Sequence, residues 1–374
     1  MVTDTELERL RSKIGQVVQV REQPYLTELT RDAIRHWAEA IGDRNPLYLD
    51  ESYARASLYG GIIAPPTILY AFSRLSIGYR GGLPGVHSMF GGSHWRWRRP
   101  MRLGDDPRAQ VTFKDLIELP SRFAGRMFKQ ISHIDFVAEK GDVVAEAESW
   151  GMRTERQTAE KRKKYDYLGA KAYAKSELSE IAERYRNESV RGTVPLYWED
   201  VKVGEKVPEI IRGPYTATIA VAFEQGWGGL FIRAHGYWFD YLDRHPNAGL
   251  LNDFGAPEPP EAVHWDATLA RRVGVPNAYD YGPERISWLA SMLTNWIGDA
   301  GFLAELYCEV RRFNLIGDLT HCNATVTDVE ALDATKGAVR LEVKAFDQRG
   351  EETVVGWAVV HLPMRRSGDP ATQS

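Results

Sequence analysis

The chain of 374 residues contains the same ordered pattern twice, and this repeat limits the folds that it can adopt. Four pairs of segments match in the same order: 30–42 with 216–228, 48–55 with 264–271, 98–106 with 311–319, and 139–150 with 348–359. Segments that recur in order over such lengths indicate a duplicated structural unit. We therefore expect one fold built twice.

The repeat divides the chain into two copies and a linker. Copy one covers about 14–154, a charged linker covers 155–192, and copy two covers 193–365. Copy two carries an insertion at about 230–261, directly after its first helix. The linker is rich in helix-forming residues but lacks apolar periodicity, which predicts a solvated helix between the copies.

Each copy has the same predicted order of elements: a short strand, a helix, a loop, a longer helix, and three or more strands. The longer helix is predicted at Pro66–Tyr79 in copy one and at Pro283–Ile297 in copy two, with apolar residues at helical spacing. Proline is tolerated in the first turn of a helix. An antiparallel sheet around one apolar helix fits this order, so the predicted fold class is α+β.

Composition excludes several classes of function. The formal net charge is −4, which argues against a nucleic-acid binder held by bulk charge. The sequence has no apolar run of about 18 residues that would predict a membrane span, and its first residues lack the apolar region of a signal peptide. The two cysteines, Cys308 and Cys322, have no metal-ligand or redox spacing, so we expect a reducing, cytoplasmic location and no metal or other cofactor.

The loop of copy one carries a motif. Its sequence, AIGDRNPLYLDESYA at 40–54, resembles the G-D-x-N-P-φ-H-x-D pattern (φ apolar) of MaoC-like dehydratases and (R)-specific enoyl-CoA hydratases. Asp43 and Asn45 match the pattern, whereas Tyr48 stands where the family has its catalytic histidine. Residues 60–69 resemble the FAS1-like dehydratase N-terminal half of such proteins. The resemblance implies a double hot-dog fold, with two antiparallel sheets that each wrap a long central helix.

Copy two departs from the same pattern in a different way. His264 and Asp266 occupy the histidine and final aspartate positions, but Pro259 and Glu261 stand where the first aspartate and the asparagine belong. Copy one therefore keeps the acid and loses the histidine, whereas copy two keeps the histidine and loses the acid.

The resemblance implies hydration of an enoyl thioester, which needs an acid–base group, a donor to the thioester oxygen and an apolar tunnel. We assign His264 to proton transfer and the backbone N–H of Gly282, at the start of the long helix, to the donor. The missing acid has two candidates, Glu261 first and then Asp253 in the insertion.

Other residues are predicted to bind the substrate: Asp43, Asn45 and Tyr48 in a vestigial copy-one site, and Asp266, Tyr281, Arg285 and Trp238 around the copy-two site. Each has a structural alternative. His264 can be a buried histidine hydrogen-bonded to Asp266, and Asp43-x-Asn45 before proline is a natural turn and cap. Arg285 can serve as a surface or capping residue, and the aromatic residues of the insertion can simply pack it down.

The leading functional expectation is an enoyl-CoA hydratase or 3-hydroxyacyl-CoA dehydratase that takes a bulky acyl-CoA thioester. Because both motifs are broken, the alternative is a non-catalytic acyl-CoA-binding subunit whose partner performs the chemistry. We expect either a homodimer or a heteromer with a small MaoC-like subunit. A thioesterase on the same fold is a third reading.

Overall fold

The computed structural model of the protein describes residues 2–19, 23–79, 81–83, 86–120, 126–155, 171–228 and 232–365. The helices are α1 Asp4–Arg11, α2 Arg31–Ile41, α3 Pro46–Leu49, α4 Glu51–Ala56, α5 Lys175–Arg186, α6 Ala217–Trp227, α7 Gly236–Arg244, α8 Ala267–Arg272 and α9 Gly282–Ile297. The strands of copy one are β1 Val86–Trp97, β2 Arg108–Leu119, β3 Met127–Val137 and β4 Val143–Glu155. Those of copy two are β5 Ile210–Arg212, β6 Leu250–Leu251, β7 Pro257–Glu258, β8 Phe302–Val310, β9 Thr320–Ala331, β10 Lys336–Asp347 and β11 Glu352–Pro363.

The main strands form one antiparallel sheet of nine strands, in the order β2-β3-β4-β1-β8-β11-β10-β9-β5. Strand β1 of copy one pairs with β8 of copy two, from Gly92 opposite Glu309 to Arg96 opposite Glu305. The two antiparallel sheets predicted from the sequence are thus joined edge to edge, because β1 and β8 bond to each other. Because β1 and β8 pair with each other, neither strand has an unpaired edge where the two copies meet.

The first helix of each copy begins and ends on the same residue types. Thr30 and Thr216 accept hydrogen bonds from backbone N–H groups in the first turns of α2 and α6. Gly42 and Gly228 end the helices in the left-handed region, with φ of 70° and 80°, a conformation that favours glycine. The repeat seen in the sequence thus encodes matching helix boundaries.

The long helix differs between the copies. In copy two, α9 begins at Gly282 and is buried over nearly all of its length, in agreement with the sequence. In copy one, the predicted helix Pro66–Tyr79 is wrong, because only a short 3-10 helix at Pro66–Phe72 forms. Two carbonyls that an α-helix would use internally accept indole N–H groups instead: Trp97 donates to Pro66 and Trp227 to Tyr70.

The core is shared by both copies. Its largest cluster of buried side chains takes residues from either copy, and Trp37 of α2 contacts Phe223 of α6 with ring centroids 5.7 Å apart. In the linker, residues 156–170 lie outside the described residues, and α5 buries Ile181 against copy two. None of the helices in the described part of the chain is long and apolar enough to cross a bilayer.

Candidate active site

A cavity of about 500 Å³ opens in copy two. One wall is the 3-10 helix Pro260–His264, and another is the N-terminal end of α9. The insertion contributes Tyr241 and Leu250, and copy one contributes Phe90 on β1. The residues that the sequence assigns to proton transfer in copy two therefore border a space of ligand size.

His264 is half-buried on this wall and is held from two sides. Its Nδ1 donates to the Tyr279 carbonyl oxygen at 2.8 Å, and its ring stacks on Tyr281 with centroids 3.7 Å apart. Because a carbonyl can only accept, the hydrogen of the neutral ring sits on Nδ1 and the lone pair on Nε2. The tautomer is the one that a base acting through Nε2 requires.

Glu261 lies one turn before His264 and is buried. Residues three apart on a 3-10 helix lie on the same face, so the carboxyl and the imidazole both border the cavity. The sequence ranked Glu261 first among acids for this site, and the structure brings the two residues together.

A second buried acid, Glu224 on α6, was missed by the sequence reasoning. It lies on the buried face of α6 together with Phe223 and Trp227. Burial, reinforced by the negative charge of Glu261, raises the pKa of Glu224 to about 8. An acid on the apolar face of an otherwise apolar helix was the signal available in the sequence.

Tyr281 and Gly282 form the entrance to α9. Tyr281 is buried and precedes the first helical residue, Gly282. A side chain at Gly282 would meet the Phe90 ring, since a Cβ there would lie 2.3 Å from its Cδ1. The glycine allows copy one to approach the helix N-terminus, where backbone N–H groups favour negative charge.

Arg285 borders the cavity, but its guanidinium is engaged by groups of the protein. Its guanidinium is buried and pairs with Asp280, with Nε 2.7 Å from the carboxylate. It also donates to the backbone carbonyls of Arg312 and Thr353. Since these donors are engaged in the protein, Arg285 fastens α9 to the sheet.

Three other predicted residues lie outside the cavity wall. Asp253 is exposed and pairs with Arg272 at 2.9 Å, so it is not the missing acid of the cavity. Asp266 caps α8 through hydrogen bonds to the N–H groups of Thr268 and Leu269. Trp238 donates to the Pro257 carbonyl at 2.7 Å and packs the insertion together, whereas its neighbour Tyr241 borders the cavity.

The corresponding region of copy one is nearly filled, with a cavity of about 50 Å³. Asp43 is buried and accepts from the N–H of Asn45 at 2.9 Å, and Asn45 donates to Asn295 at 3.3 Å. Burial raises the pKa of Asp43 to about 6. Asn45 and Tyr48 border this small space, so the motif of copy one packs against α9.

Among the described residues, one trio has potential metal-ligand atoms within 4.8 Å of one another: His133, Asp135 and Glu146. Arg98 pairs with Glu146 at 2.5 Å, and His133 with Asp135 at 3.1 Å. These groups lie outside the cavity and are engaged in ion pairs.

The fold and the site define a class of protein. Each copy places an apolar helical segment against an antiparallel sheet, and copy two adds an imidazole and buried carboxyls at the N-terminus of its helix. Two such helix-and-sheet units joined in one chain form a double hot-dog fold.

Comparisons with known proteins identify the family. A family model described as the FAS1-like dehydratase domain region matches residues 14–145. A UPF0336 protein of Streptomyces avermitilis is 34% identical over 129 residues, which are 33% of this chain and 77% of that protein. A 3-oxo-4,17-pregnadiene-20-carboxyl-CoA hydratase alpha subunit of Mycobacterium tuberculosis is 47% identical over 45 residues, 12% of this chain and 14% of that protein.

Solved structures agree on the fold. A MaoC-like dehydratase superimposes with a TM-score of 0.65 at 16% identity, and the superposition covers 95% of this chain and 100% of that chain. A conserved protein of Mycobacterium tuberculosis with a double hotdog fold has a TM-score of 0.54 at 12% identity, with 94% and 96% covered. The chain belongs to the same family as the UPF0336 proteins, its residues 14–145 match the FAS1-like dehydratase domain region, and its fold is the double hot dog of MaoC-like dehydratases. The family resemblance and the fold class predicted from the sequence are thereby confirmed.

Proposed function

We propose that the chain interconverts a 2-enoyl-CoA thioester and its 3-hydroxyacyl-CoA in the cavity of copy two. The observation that carries the proposal is the difference between the copies. The copy-two cavity of about 500 Å³ is bordered by His264, Glu261 and Gly282, whereas the copy-one space of about 50 Å³ has Tyr48 in place of the histidine. A working acid–base site needs both the imidazole and room for a substrate.

In the proposed hydration, Nε2 of His264 removes a proton from water while the water oxygen bonds to C3 of the enoyl thioester. Electron density moves to the thioester oxygen, to which the Gly282 N–H donates. The Glu261 carboxylate stabilises the imidazolium. The imidazolium then returns the proton to C2, so that one water is added and the ring ends neutral.

We further propose a bulky acyl group as substrate. The insertion adds walls to the cavity through Tyr241, His245 and Leu250, and copy one adds Ile77 and Phe90. Apolar walls of this extent favour an acyl chain larger than a four-carbon unit. The mycobacterial relative named as a pregnadiene-carboxyl-CoA hydratase alpha subunit supports a large ring system as one candidate.

The experiment is a turnover assay of the purified chain on a panel of enoyl-CoA thioesters, from crotonyl-CoA to branched, aromatic and polycyclic acyl groups, following loss of enoyl absorbance. His264→Ala should lower kcat by at least about 100-fold, because the proton-transfer group is removed. The matched control is Tyr48→Phe, at the same motif position of copy one, which should leave kcat unchanged.

Circular dichroism checks that the His264→Ala protein is folded. Full activity of that folded protein would show that His264 does not transfer the proton. If crotonyl-CoA were turned over fastest, the proposal of a bulky acyl group would be wrong, whereas the proposed reaction type would be supported.

The second candidate is an acyl-CoA-binding subunit of a heteromeric hydratase. The motif of copy two lacks its aspartate and asparagine, and two relatives carry names of hydratase alpha subunits. In that case the chain alone would be inactive on every thioester yet would bind acyl-CoA, and adding a small MaoC-like subunit would restore turnover. Size-exclusion chromatography of the active species distinguishes a homodimer from such a heteromer.

A further inference from the structure

A buried polar network surrounds the start of α9 and takes no part in the proposed proton transfer. Asp280 and Arg285 are both buried, and the guanidinium donates to the carboxylate through Nε at 2.7 Å and through Nη2. The amide of Asn314 donates to the same carboxylate at 3.1 Å and to the Thr320 hydroxyl at 2.6 Å. Because both oxygens of Asp280 accept hydrogen bonds from the protein, its charge is directed at Arg285 and not at the cavity.

The backbone pairing beneath this network occurs in both copies. In copy two, the N–H of Asp280 donates to the carbonyl of Asn314 at 3.0 Å. In copy one, the N–H of Ala64 donates to the carbonyl of Met101 at 2.9 Å. The two copies therefore join the same loop to the same turn through equivalent backbone groups.

The side chains at these equivalent positions differ. Leu69 follows Ala64 by five residues, just as Arg285 follows Asp280. Copy one thus has Ala64, Leu69 and Met101 where copy two has the acid, the guanidinium and the amide, and all three are buried. Since a buried ion pair is often no more stabilising than well-packed apolar residues, the fold does not require the polar network of copy two.

The network lies beside the backbone groups that the proposed reaction needs. Asp280 directly follows Tyr279, whose carbonyl accepts from Nδ1 of His264 at 2.8 Å. Two residues after Asp280 comes Gly282, the proposed donor to the thioester oxygen. Tyr281, between them, stacks on the imidazole with ring centroids 3.7 Å apart. A shift of this short segment would therefore displace the acid–base group and the donor together.

We propose that Asp280 and Arg285 are positioning residues for the copy-two site. Their buried ion pair fixes the chain at the start of α9. The Tyr279 carbonyl then keeps the hydrogen of the imidazole on Nδ1, and the Gly282 N–H stays at the cavity. Arg285 also donates to the Thr353 carbonyl on β11 at 3.1 Å, which ties the segment to the sheet. The role rests on the proposed hydratase activity.

The experiment places the copy-one side chains in copy two, by combining Asp280→Ala, Arg285→Leu and Asn314→Met in the full chain. Since copy one folds with these side chains, urea unfolding of the triple variant should remain cooperative. Its kcat should fall at least about tenfold while KM stays within about threefold, because the reacting groups lose their alignment whereas the cavity remains. An unfolded triple variant, or a folded one with the kcat of the wild type, would overturn the proposal.

Two further variants separate positioning from stability. Asp280→Asn keeps the shape of the side chain and removes its charge, so its kcat should lie between those of the wild type and the triple variant. Arg349→Leu is the matched control, because Arg349 pairs with the buried Asp318 at 2.8 Å and neither residue belongs to the described cavity wall. It should lower the urea midpoint and leave kcat unchanged. An equal loss of kcat in Arg349→Leu and the triple variant would contradict the positioning role.

A spectroscopic readout needs no turnover. In chains labelled isotopically at the histidine nitrogens, nuclear magnetic resonance distinguishes the neutral tautomers of His264, and His264→Ala assigns its signals. The hydrogen should sit on Nδ1 in the wild type and in Arg349→Leu, and partly on Nε2 in the triple variant. Identical His264 signals in the wild type and the triple variant would overturn the proposal. If the tautomer changes as expected while the wild type turns over no thioester, the proposed function fails, whereas the ordering of His264 by Asp280 and Arg285 is supported.

Discussion

At the scale of single residues, the buried acids show how environment separates groups of the same chemistry. Asp253 is exposed and paired with Arg272, whereas Glu224 is buried with its pKa raised to about 8. Burial disfavours the charged form of a carboxyl, and a salt bridge favours it. A carboxyl that can hold a proton at neutral pH is therefore expected in the interior of the protein and not on its surface.

Asp43 provides a test of such burial in copy one. Its ordinary pKa of 3.8 rises to about 6 in the folded protein, so the folded state binds the proton more tightly than the unfolded chain. The contribution of Asp43 to stability is complete well below pH 3.8 and is lost as the pH rises through about 6. Between pH 4 and pH 6 the wild type should lose about 2 kcal/mol more of its unfolding free energy than Asp43→Asn does.

Urea unfolding at pH 4 and pH 6, followed by tryptophan fluorescence, measures the difference. Parallel changes in the two proteins would show that the Asp43 carboxyl is not the origin of the pH dependence. Asparagine keeps an oxygen that can accept from the Asn45 N–H, so the comparison isolates the charge.

Sequence reasoning identified those residues of the candidate site that lie within the repeated motif or directly at the start of the long helix. His264, Glu261 and Gly282 occupy motif positions, and all three border the cavity. Glu224 lies outside the motif, 40 residues before His264 along the chain, and only the packing of α6 on Tyr281 brings it near. The ion pair between Arg285 and Asp280 was not predicted from the sequence.

At the scale of elements, the matched helix starts yield a prediction. Thr30→Ala and Thr216→Ala should each lower the free energy of unfolding by about 1 kcal/mol, because each removes an acceptor for an N–H group that the helix itself cannot satisfy. Thr30→Ser and Thr216→Ser keep the hydroxyl and should be close to neutral. Urea unfolding measures all four variants.

An alanine variant as stable as its serine counterpart would show that the threonine hydroxyl does not cap that helix. Since the hydrogen bonds are 3.1 Å at Thr30 and 3.3 Å at Thr216, a similar loss is expected from both.

Element boundaries follow the sequence where the deciding interaction is local, and fail where it is distant. Asp50 and Asp266, at matching positions, cap α4 and α8 through hydrogen bonds within three residues. Near the end of the 3-10 helix at Phe72, the Tyr70 carbonyl accepts from Trp227, which comes from copy two. The apolar spacing of residues 66–79 cannot predict that contact.

At the scale of the whole molecule, the continuous sheet predicts that neither copy is stable alone. Residues 1–155 expressed separately would expose β1, and residues 193–374 would expose β8, and each piece would lose part of the shared core. Exposed edge strands and apolar faces promote aggregation. We expect each piece to be insoluble or unfolded and the coexpressed pieces to be recovered as a complex.

Size-exclusion chromatography and near-ultraviolet circular dichroism provide the measurement. A monomeric, cooperatively folded single piece would contradict the prediction. The sequence repeat predicted two similar halves, but the bond between them came from the register of β1 with β8, which periodicity cannot encode.

The contribution of copy one to the copy-two cavity has an evolutionary consequence. Ile77, Met89 and Phe90 form part of the wall although they belong to the copy whose own motif lacks the histidine. In a dimer of identical chains, a substitution in such a wall would also appear in the domain that carries the site residues. In a fused duplicate the two halves can change independently. Copy one can then acquire a wall that suits other acyl groups while copy two keeps its site residues. Natural variation in substrate preference among relatives should therefore accumulate in copy one, which takes no part in the proposed proton transfer.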